Sequence, residues 1–280
     1  MLPVTSSLTA VLIAVGLFGV IIGSFLNVVI LRFNTGRGSG GRSMCLSCAK
    51  QLTWVDLVPV LSFVLLGRRC RGCKTKVSWQ YPLVELATAA LFVMLWYVSL
   101  PVYYLHGTAV FMLQWVLLAI VFSLYVVIFV YDLYHKIIPD VFSYTAAAAA
   151  LLYSLSVFFF ETTLVPSIYN LIAGPLLFLP FWALWRVSNG RWMGLGDGKL
   201  ALSIGWLLGL SVGITALLFA VWLGAIIGVL LVLMGALKRR GSGITMKAEI
   251  PFAPFLLIAT LIAFLAPIDI FSLTLFFSLY

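Results

Sequence analysis

The stretch Gly194-Leu195-Gly196-Asp197-Gly198-Lys199 places a single carboxylate inside a glycine-rich hexapeptide, between two long apolar runs. Asp197 is one of only eight acidic residues in a chain that is 64% hydrophobic. The flanking glycines are expected to allow positive φ angles and the close approach of another segment. Because a carboxylate at a membrane boundary is costly, it is read by default as part of a functional site. Asp197 therefore needs a partner elsewhere in the chain.

The best partner is Asp132, which ends another apolar run in Tyr131-Asp132-Leu133-Tyr134-His135-Lys136-Ile137-Ile138-Pro139-Asp140. Two neighbouring carboxylates can hydrolyse a peptide bond without a metal. The ionised one takes a proton from water, while the protonated one polarises the carbonyl and gives a proton to the leaving amine. Close carboxylates share a proton, so their apparent pKa values belong to the pair. Each aspartate also has a plainer interpretation, Asp132 as a polar end to a span and Asp197 as an Asp-Gly turn.

Composition places the chain in a membrane. Of its 280 residues 9% are charged, and the mean hydropathy is +1.18, which excludes soluble fold classes. The net charge of +9 does not indicate nucleic acid, because the basic residues lie in loops, where membrane topology places them. The first apolar run, Leu8–Leu31, is too long for the core of a cleavable signal peptide, and no basic residue precedes Arg32. We expect it to be a true span.

The sequence predicts an all-α polytopic membrane protein with about eight transmembrane helices and a small cytoplasmic zinc-binding loop domain. The predicted spans are Leu8–Leu31, Tyr81–Leu100, Thr108–Tyr131, Val141–Phe160, Ser167–Trp185, Leu200–Leu210, Ile214–Leu237 and Pro251–Ile268. The sixth is short and glycine-rich.

The basic residues orient these spans. All 17 Lys and Arg residues fall in the loops after spans one, three, five and seven. By the positive-inside rule these loops are cytoplasmic and both termini lie outside. Asp132, Asp140 and Asp197 then share the cytoplasmic side, so their separation along the chain does not prevent the two partner aspartates from meeting.

The first loop carries all four cysteines, in the pairs Cys45-Leu46-Ser47-Cys48 and Cys70-Arg71-Gly72-Cys73. Two such pairs can close a tetrahedral four-thiolate site for structural Zn²⁺, in which no open position is left for catalysis. The basic residues around the second pair are expected to favour thiolates. Reduced pairs without metal are the alternative, since disulfides are disfavoured on the cytoplasmic side.

Other polar residues have simpler interpretations beside functional ones. Asp140 follows Ile-Pro and fits a helix N-cap for span four. Lys136 and Lys199 are most simply topology anchors, although Lys199 is close enough to Asp197 to influence its charge or to bind substrate. Glu85 lies early in span two, where an acid is costly, and is expected to face the bundle interior. The residues expected to support the aspartate pair are Gly194, Gly196, Lys199, Lys136, Asp140 and Glu85.

Taken together and in this order, the motifs resemble those of the type IV prepilin peptidases, membrane aspartic proteases of the GxGD type. The matching segments are Gly23-Ser24-Phe25-Leu26-Asn27-Val28-Val29-Ile30 with Arg32, the two cysteine pairs, Asp56-Leu57-Val58-Pro59-Val60-Leu61-Ser62, Tyr81-Pro82-Leu83-Val84-Glu85, Asp132 with Ile138-Pro139-Asp140, Gly194-Leu195-Gly196-Asp197, and Ile250-Pro251-Phe252-Ala253-Pro254. Two departures are visible. The segment Asn34–Ser43 lacks the prolines expected before the first cysteine pair, and Ala253 stands where the family usually has glycine.

The resemblance implies that Asp132 and Asp197 are the catalytic aspartates. It implies that the chain cuts the short, basic leader from prepilins or pseudopilins at the cytoplasmic face of the bacterial inner membrane. Members with the cysteine loop also N-methylate the new terminal amine with S-adenosylmethionine. The implied domains are a first transmembrane helix (1–32), a four-cysteine zinc domain associated with methylation (33–80) and a transmembrane peptidase domain (81–280). No glycine-rich nucleotide loop locates the methyl donor.

Two other functions stay open at this stage. A transporter or proton channel would use the two aspartates as an ion relay, and it would need further polar residues near the midplane of several spans. A zinc-loop scaffold of a pilus or secretion system would need no chemistry. The lipid bilayer is the partner that composition itself indicates, and the oligomeric state is left open.

Overall fold

The structure is a computed structural model that describes residues 2–35, 40–160, 164–237 and 251–267. Its elements are α1 (Leu2–Arg32), a short 3₁₀ helix (Trp54–Leu57), α2 (Leu61–Leu65), α3 (Gln80–His135), α4 (Asp140–Phe160), α5 (Leu164–Ser188), α6 (Leu195–Leu208), α7 (Leu210–Leu237) and α8 (Ala253–Leu265). Within these described ranges no β-strand forms, and pairing is limited to two isolated bridges in the first loop. The predicted all-α fold is therefore confirmed.

The chain consists of two compact units, residues 1–107 and residues 108–280. The division falls inside α3 at Gly107, where a φ of 82° and a ψ of −179° interrupt the helix. Glycine tolerates this conformation because it has no Cβ. The sequence predicted a loop between spans ending at Leu100 and starting at Thr108. The chain instead stays helical up to Gly107, with Pro101 inside the helix, because a proline can kink a helix without ending it.

Within residues 1–107, glycines on α1 allow close packing against the first half of α3. A Cβ on Gly19 would lie 2.7 Å from the Cα of Ala89, and a Cβ on Gly23 would lie 2.7 Å from the Cα of Glu85. Small residues are what permits such backbone approach between membrane helices. The packing of α1 on α3 is therefore close enough that a methyl group at either position would force the helices apart.

The loop between α1 and α3 has little apolar core of its own. Neither the 3₁₀ helix nor α2 contains a buried residue. Asp56 connects its parts, since Oδ2 accepts hydrogen bonds from the amide and hydroxyl of Thr53 at 3.1 and 2.7 Å, and Oδ1 pairs with Nε of Arg71 at 3.0 Å. The Thr53 hydroxyl, more than any other group, lowers the pKa of Asp56. Polar contacts and the cysteines therefore organise this loop.

Within residues 108–280, α6 packs against α4, α5, α7 and α8. Close approach to α5 again requires glycine, because a Cβ on Gly205 would lie 2.5 Å from the carbonyl oxygen of Ala173. The second half of α3 meets α6 through the Tyr125 hydroxyl, which lies 2.8 Å from Ser203 Oγ. These contacts hold α6 in place, and Asp197 lies in the first turn of this helix.

Five helices in the described residues are long and apolar enough to cross a membrane, and one of them is the 56-residue α3, which covers two predicted spans. The helices α6 and α8, with 14 and 13 residues, are shorter than the roughly 20 residues of a usual span. The count of eight spans and the three predicted domains stay predictions. Several residues used in the sequence analysis lie outside the described ranges, namely Arg37, Lys238, Arg239, Arg240, Lys247, Ile250 and Ile268.

Candidate functional site

Asp132 lies in the last turn of α3 and is buried, with 4% of its surface exposed. The backbone amide of Ala253, the first residue of α8, donates a hydrogen bond to its carboxylate. That amide belongs to the N-terminal turn of a helix, whose partial positive charge favours a nearby anion. Its Oδ2 atom is buried and has no hydrogen-bond partner in the part of the chain that the structure describes. One part of the Asp132 carboxylate therefore accepts a hydrogen bond from α8, while Oδ2 is left without a partner among the described residues.

Asp197 lies in the first turn of α6. It precedes the span predicted at Leu200–Leu210 and is outside the five long apolar helices. Burial, followed by the charge of Asp132, raises the pKa of the Asp197 carboxyl to about 7. One carboxyl can act on the other in this way only when the two are close in space. The structure thus brings together the two aspartates that the sequence paired.

The glycines around Asp197 provide close packing rather than positive φ angles. Gly194 has a φ of −72°, and Gly196 and Gly198 are helical, so the expectation of positive φ was wrong for all three. A Cβ on Gly196 would lie 2.9 Å from the Cβ of Ile138, and one on Gly198 would lie 3.0 Å from the Cβ of a phenylalanine in α5. The turn interpretation of Asp197 is also wrong. Packing against these neighbours outweighs the low helix propensity of glycine, so α6 begins at Leu195.

Lys199 connects α6 to the start of α4. Only 8% of Lys199 is exposed, and its Nζ atom lies 2.6 Å from Oδ1 of Asp140 and 4.9 Å from the ring centroid of Tyr144. Two residues along an α-helix turn by about 200°, so Lys199 and Asp197 leave α6 on different sides. The sequence predicted Asp140 as the N-cap of α4. Asp140 is instead the first helical residue of α4, and its Oδ1 atom accepts the bond from Lys199.

His135 and Lys136 lie at the end of α3, and both are exposed. The ring of His135 stacks on Tyr131 with the centroids 4.4 Å apart. Lys136 has a φ of 54°, and its amide donates to the Asp132 carbonyl at 2.8 Å. Lys136 thus contributes a backbone contact that closes the helix behind Asp132.

Glu85 belongs to residues 1–107, the other unit from the aspartates. It is 5% exposed, and its Oε2 atom accepts a hydrogen bond from the Val60 amide at 2.8 Å. The carboxylate is therefore buried, as expected for an acid that faces the interior.

The two cysteine pairs fold into two matching turns. The amide of Cys45 donates to the Lys50 carbonyl at 2.9 Å, and the amide of Cys70 donates to the Thr75 carbonyl at 2.9 Å. A residue with positive φ follows the second cysteine of each pair, Ala49 at 55° and Lys74 at 60°. Because the two turns have the same geometry, each brings its own pair of sulfurs close together.

The four sulfurs converge on one point. Sγ of Cys45 lies 3.8 Å from Sγ of Cys73, and all four Sγ atoms lie within 4.8 Å of one another. Sulfurs bound to a tetrahedral zinc ion at about 2.3 Å are themselves about 3.8 Å apart. A Cβ on Gly72 would lie 3.8 and 3.9 Å from the sulfurs of Cys48 and Cys70, at ordinary contact distance. The cysteines therefore fit a metal ion with closed coordination.

Hydrogen bonds inside the turns favour the thiolates of Cys45 and Cys73, whereas hydrogen bonding to the neighbouring thiols, chiefly Cys73, raises the pKa of Cys48 to about 11. The Thr75 hydroxyl is the main cause that lowers the pKa of Cys73, to about 6. The backbone amide of Cys48 is the main cause that lowers the pKa of Cys45. The sequence assigned this effect to the surrounding basic side chains, and for these two thiols the structure assigns it to local donors instead.

The sequence did not reveal two contacts of this site. The Ala253 amide donates to Asp132, and Ile138 packs against Gly196. Pro251 and Pro254 flank Ala253 and are typical of the first turn of a helix. That signal would have placed free backbone amides there. Ile138 carries no such signal, because an apolar residue in a short linker does not reveal its contact.

Comparisons with known proteins identify two family models and several relatives. A model described as the bacterial peptidase A24 N-terminal domain matches residues 17–99, and a model described as the type IV leader peptidase family matches residues 118–229. The prepilin leader peptidase/N-methyltransferase of Aeromonas hydrophila is 33% identical over 276 residues, covering 89% of this chain and 88% of that protein. The protein of the same name from Bacillus subtilis is 30% identical over 257 residues, covering 89% and 92%.

No solved structure matches the chain significantly. The two family models together span most of α1 to α7, and the relatives align over nearly their whole length. This chain therefore belongs to the type IV leader peptidase family.

Proposed function

We propose that the chain removes the short, basic leader from type IV prepilins or pseudopilins with Asp132 and Asp197 as its catalytic pair, and then N-methylates the new terminus. The family is one of aspartic peptidases, and the relatives' names contain both activities. The observation that carries the proposal is the pair itself. An Asp132 oxygen, buried and unpartnered among the described residues, lies near a carboxyl whose pKa is raised to about 7.

In this mechanism the pair holds one proton, carried by Asp197. Asp197 polarises the scissile carbonyl while Asp132 takes a proton from water, and the water oxygen bonds to the carbonyl carbon. The tetrahedral intermediate then loses its C–N bond, and the leaving nitrogen takes the proton from Asp197. Transfer of the proton from Asp132 to Asp197 restores the pair. The open Oδ2 atom of Asp132 suits the first of these steps, because an acceptor already bonded to the protein could not take the water's proton.

The side of the membrane on which cleavage takes place is inferred from the distribution of charge. The basic loops predict that the ends of α3 and the start of α6 face the cytoplasm of a bacterial inner membrane. A prepilin leader that carries Lys and Arg would be retained on the same side by the same rule. The aspartate pair would then meet the junction between the basic leader and the apolar helix.

The four-cysteine loop is the proposed methylation-associated part. Cys45, Cys48, Cys70 and Cys73 would hold Zn²⁺, which supplies folding energy to a loop with few buried side chains. S-adenosylmethionine is the proposed methyl donor.

The test is an assay of the purified full chain with a prepilin-type substrate that has a basic leader and a glycine before its apolar helix. Product masses are read with and without S-adenosylmethionine. We expect wild type to remove the leader and, with the methyl donor, to gain about 14 Da, because one hydrogen of the new primary amine is replaced by a methyl group. Asp132→Asn and Asp197→Asn should each lose roughly 10³-fold or more in cleavage rate.

The matched control is Asp56→Asn, which makes the same carboxylate-to-amide change in the first loop and should cleave like wild type. Zinc content and melting temperature, measured for every variant, show which variants fold; Asp56→Asn should lose some stability in the first loop and still cleave. Substantial turnover by either well-folded dyad variant would disprove the two-aspartate mechanism. No cleavage by folded wild type would favour a channel or scaffold, and ion-flux measurement would follow.

A further inference from the structure

The segment Pro59-Val60-Leu61 forms a strained turn in the first loop. Val60 has a φ of 60° and a ψ of −52°, close to the γ-turn with positive φ, which is rare and strained. The Leu61 amide donates to the Pro59 carbonyl at 2.6 Å, which closes the three-residue ring of that turn. A β-branched residue is a poor choice for positive φ. Such a conformation persists only where its surroundings hold it in place.

The group that holds this turn comes from the membrane helix. Oε2 of Glu85 accepts a hydrogen bond from the Val60 amide at 2.8 Å, and the hydroxyl of Ser24 on α1 also bonds to the Glu85 carboxylate. Glu85 itself is 5% exposed, and hydrogen bonds to carboxylates are stronger than those between neutral groups. One buried carboxylate thus joins α1, α3 and the loop.

A second polar contact lies one turn away. Asn27 is 1% exposed, and its Nδ2 atom donates to the Tyr81 carbonyl at 3.1 Å, while Gln80 Nε2 donates to Asn27 Oδ1 at 3.4 Å. These bonds connect α1 to the beginning of α3, and the loop takes no part in them. Among the contacts of this cluster, the one from Glu85 to Val60 is the contact that reaches the loop.

We propose that Glu85 is a positioning residue that fixes the four-cysteine loop on the helix pair formed by α1 and α3, by holding Val60 in its strained turn. The cysteines fix the interior of the loop, and Arg32 on α1 binds its beginning by donating to the Gly40 and Arg42 carbonyls at 2.6 and 3.3 Å. Glu85 fixes a different part of the loop, the turn at Val60. The 3₁₀ helix and α2 have no buried residue that would do this by apolar packing. The consequence for chemistry rests on the proposed methylation by this loop.

The test follows amide hydrogen exchange by mass spectrometry in peptides that cover residues 58–66 of the full chain in detergent. Glu85→Ala removes the acceptor, and we expect exchange in this segment to accelerate about 10- to 100-fold, the usual effect of losing a hydrogen bond to a charged group. Glu85→Gln keeps an acceptor oxygen of the same reach but loses the charge, so exchange should accelerate by less than in Glu85→Ala, about fivefold. Zinc content should be unchanged in both variants.

A second variant separates the strain from a general loss of folding. Val60→Gly adopts positive φ without steric cost, so the Glu85→Ala/Val60→Gly double variant should regain most of the lost protection. Unchanged exchange in Glu85→Ala, or no recovery in the double variant, would overturn the proposal.

Methylation provides an independent readout. The fraction of cleaved product that carries a methyl group should fall in Glu85→Ala and recover in Glu85→Gln. If wild type adds no methyl group, the proposed second activity fails, but the exchange data still decide the role of Glu85. A normal methylated fraction in a Glu85→Ala variant with accelerated exchange would overturn the link between loop position and methyl transfer.

Discussion

Replacing Gly196 by alanine tests how finely the fold must position Asp197. The new Cβ would lie 2.9 Å from the Cβ of Ile138 and 3.1 Å from its Cδ1, whereas carbon atoms in contact prefer about 3.5–4.0 Å. Rotation of the Ile138 side chain cannot relieve this, because its Cβ is fixed by the backbone. The start of α6 or the linker before α4 must therefore move by about 0.6–1 Å.

The size of the effect follows from this displacement. Overpacking of this kind costs about 1–3 kcal/mol of stability. A misplacement near 1 Å can cost about 10²-fold in rate, so we expect kcat/KM for leader cleavage to fall about 10- to 100-fold while the protein stays folded at assay temperature.

Gly194→Ala is the matched control. It makes the same change two residues away, where φ is −72° and the nearest atom to a new Cβ is a backbone nitrogen at 4.0 Å. Its cleavage should remain within about threefold of wild type, since only helix capping is weakened. The assay is leader cleavage at several substrate concentrations, with melting temperature in detergent measured alongside. Equal activity of the two alanine variants would refute the argument that Gly196 positions Asp197 by contact.

Further predictions concern charge and metal. Leader cleavage should decline as pH rises through about 7, because the raised pKa of Asp197 means that its proton is lost there; a rate that keeps rising to pH 9 would contradict this. Asp140→Asn should lower the free energy of unfolding more than Lys199→Met, by about 1–3 kcal/mol, since it strands a buried ammonium, whereas the Asp140 side chain is 65% exposed. Chemical denaturation in detergent checks this, and the reverse order would be inconsistent with the burial. Purified protein should hold one zinc ion per chain, and Cys73→Ser should lose it; metal analysis that finds zinc retained would argue against the four-thiolate site.

Much of the fold could be predicted from the sequence because membrane helices are encoded locally. Apolar runs of span length and the clustering of basic residues gave the helical class and the approximate position of each helix. The boundaries failed where local rules compete with packing. Gly107 rather than Pro101 interrupts α3, and α6 starts before Asp197 because Gly196 and Gly198 find surfaces to pack against.

For the site, the sequence identified the residue types but not their contacts. Asp132 and Asp197 stand out because carboxylates are rare in an apolar chain, and the cysteines because their spacing repeats. No local pattern could show that Lys199 binds Asp140, because an ion pair between two helices depends on how those helices pack.

The sequence by itself determined that this protein lies in a membrane, that it carries two aspartates beside apolar runs and that its first loop can bind metal. These properties depend on composition and on residues close along the chain. Only the tertiary structure decided that a backbone amide of α8 supports Asp132, that the glycines serve contact rather than turning, and that Glu85 holds Val60. Such features arise where segments far apart in sequence meet, and there the energy of burial and hydrogen bonding outweighs local preference.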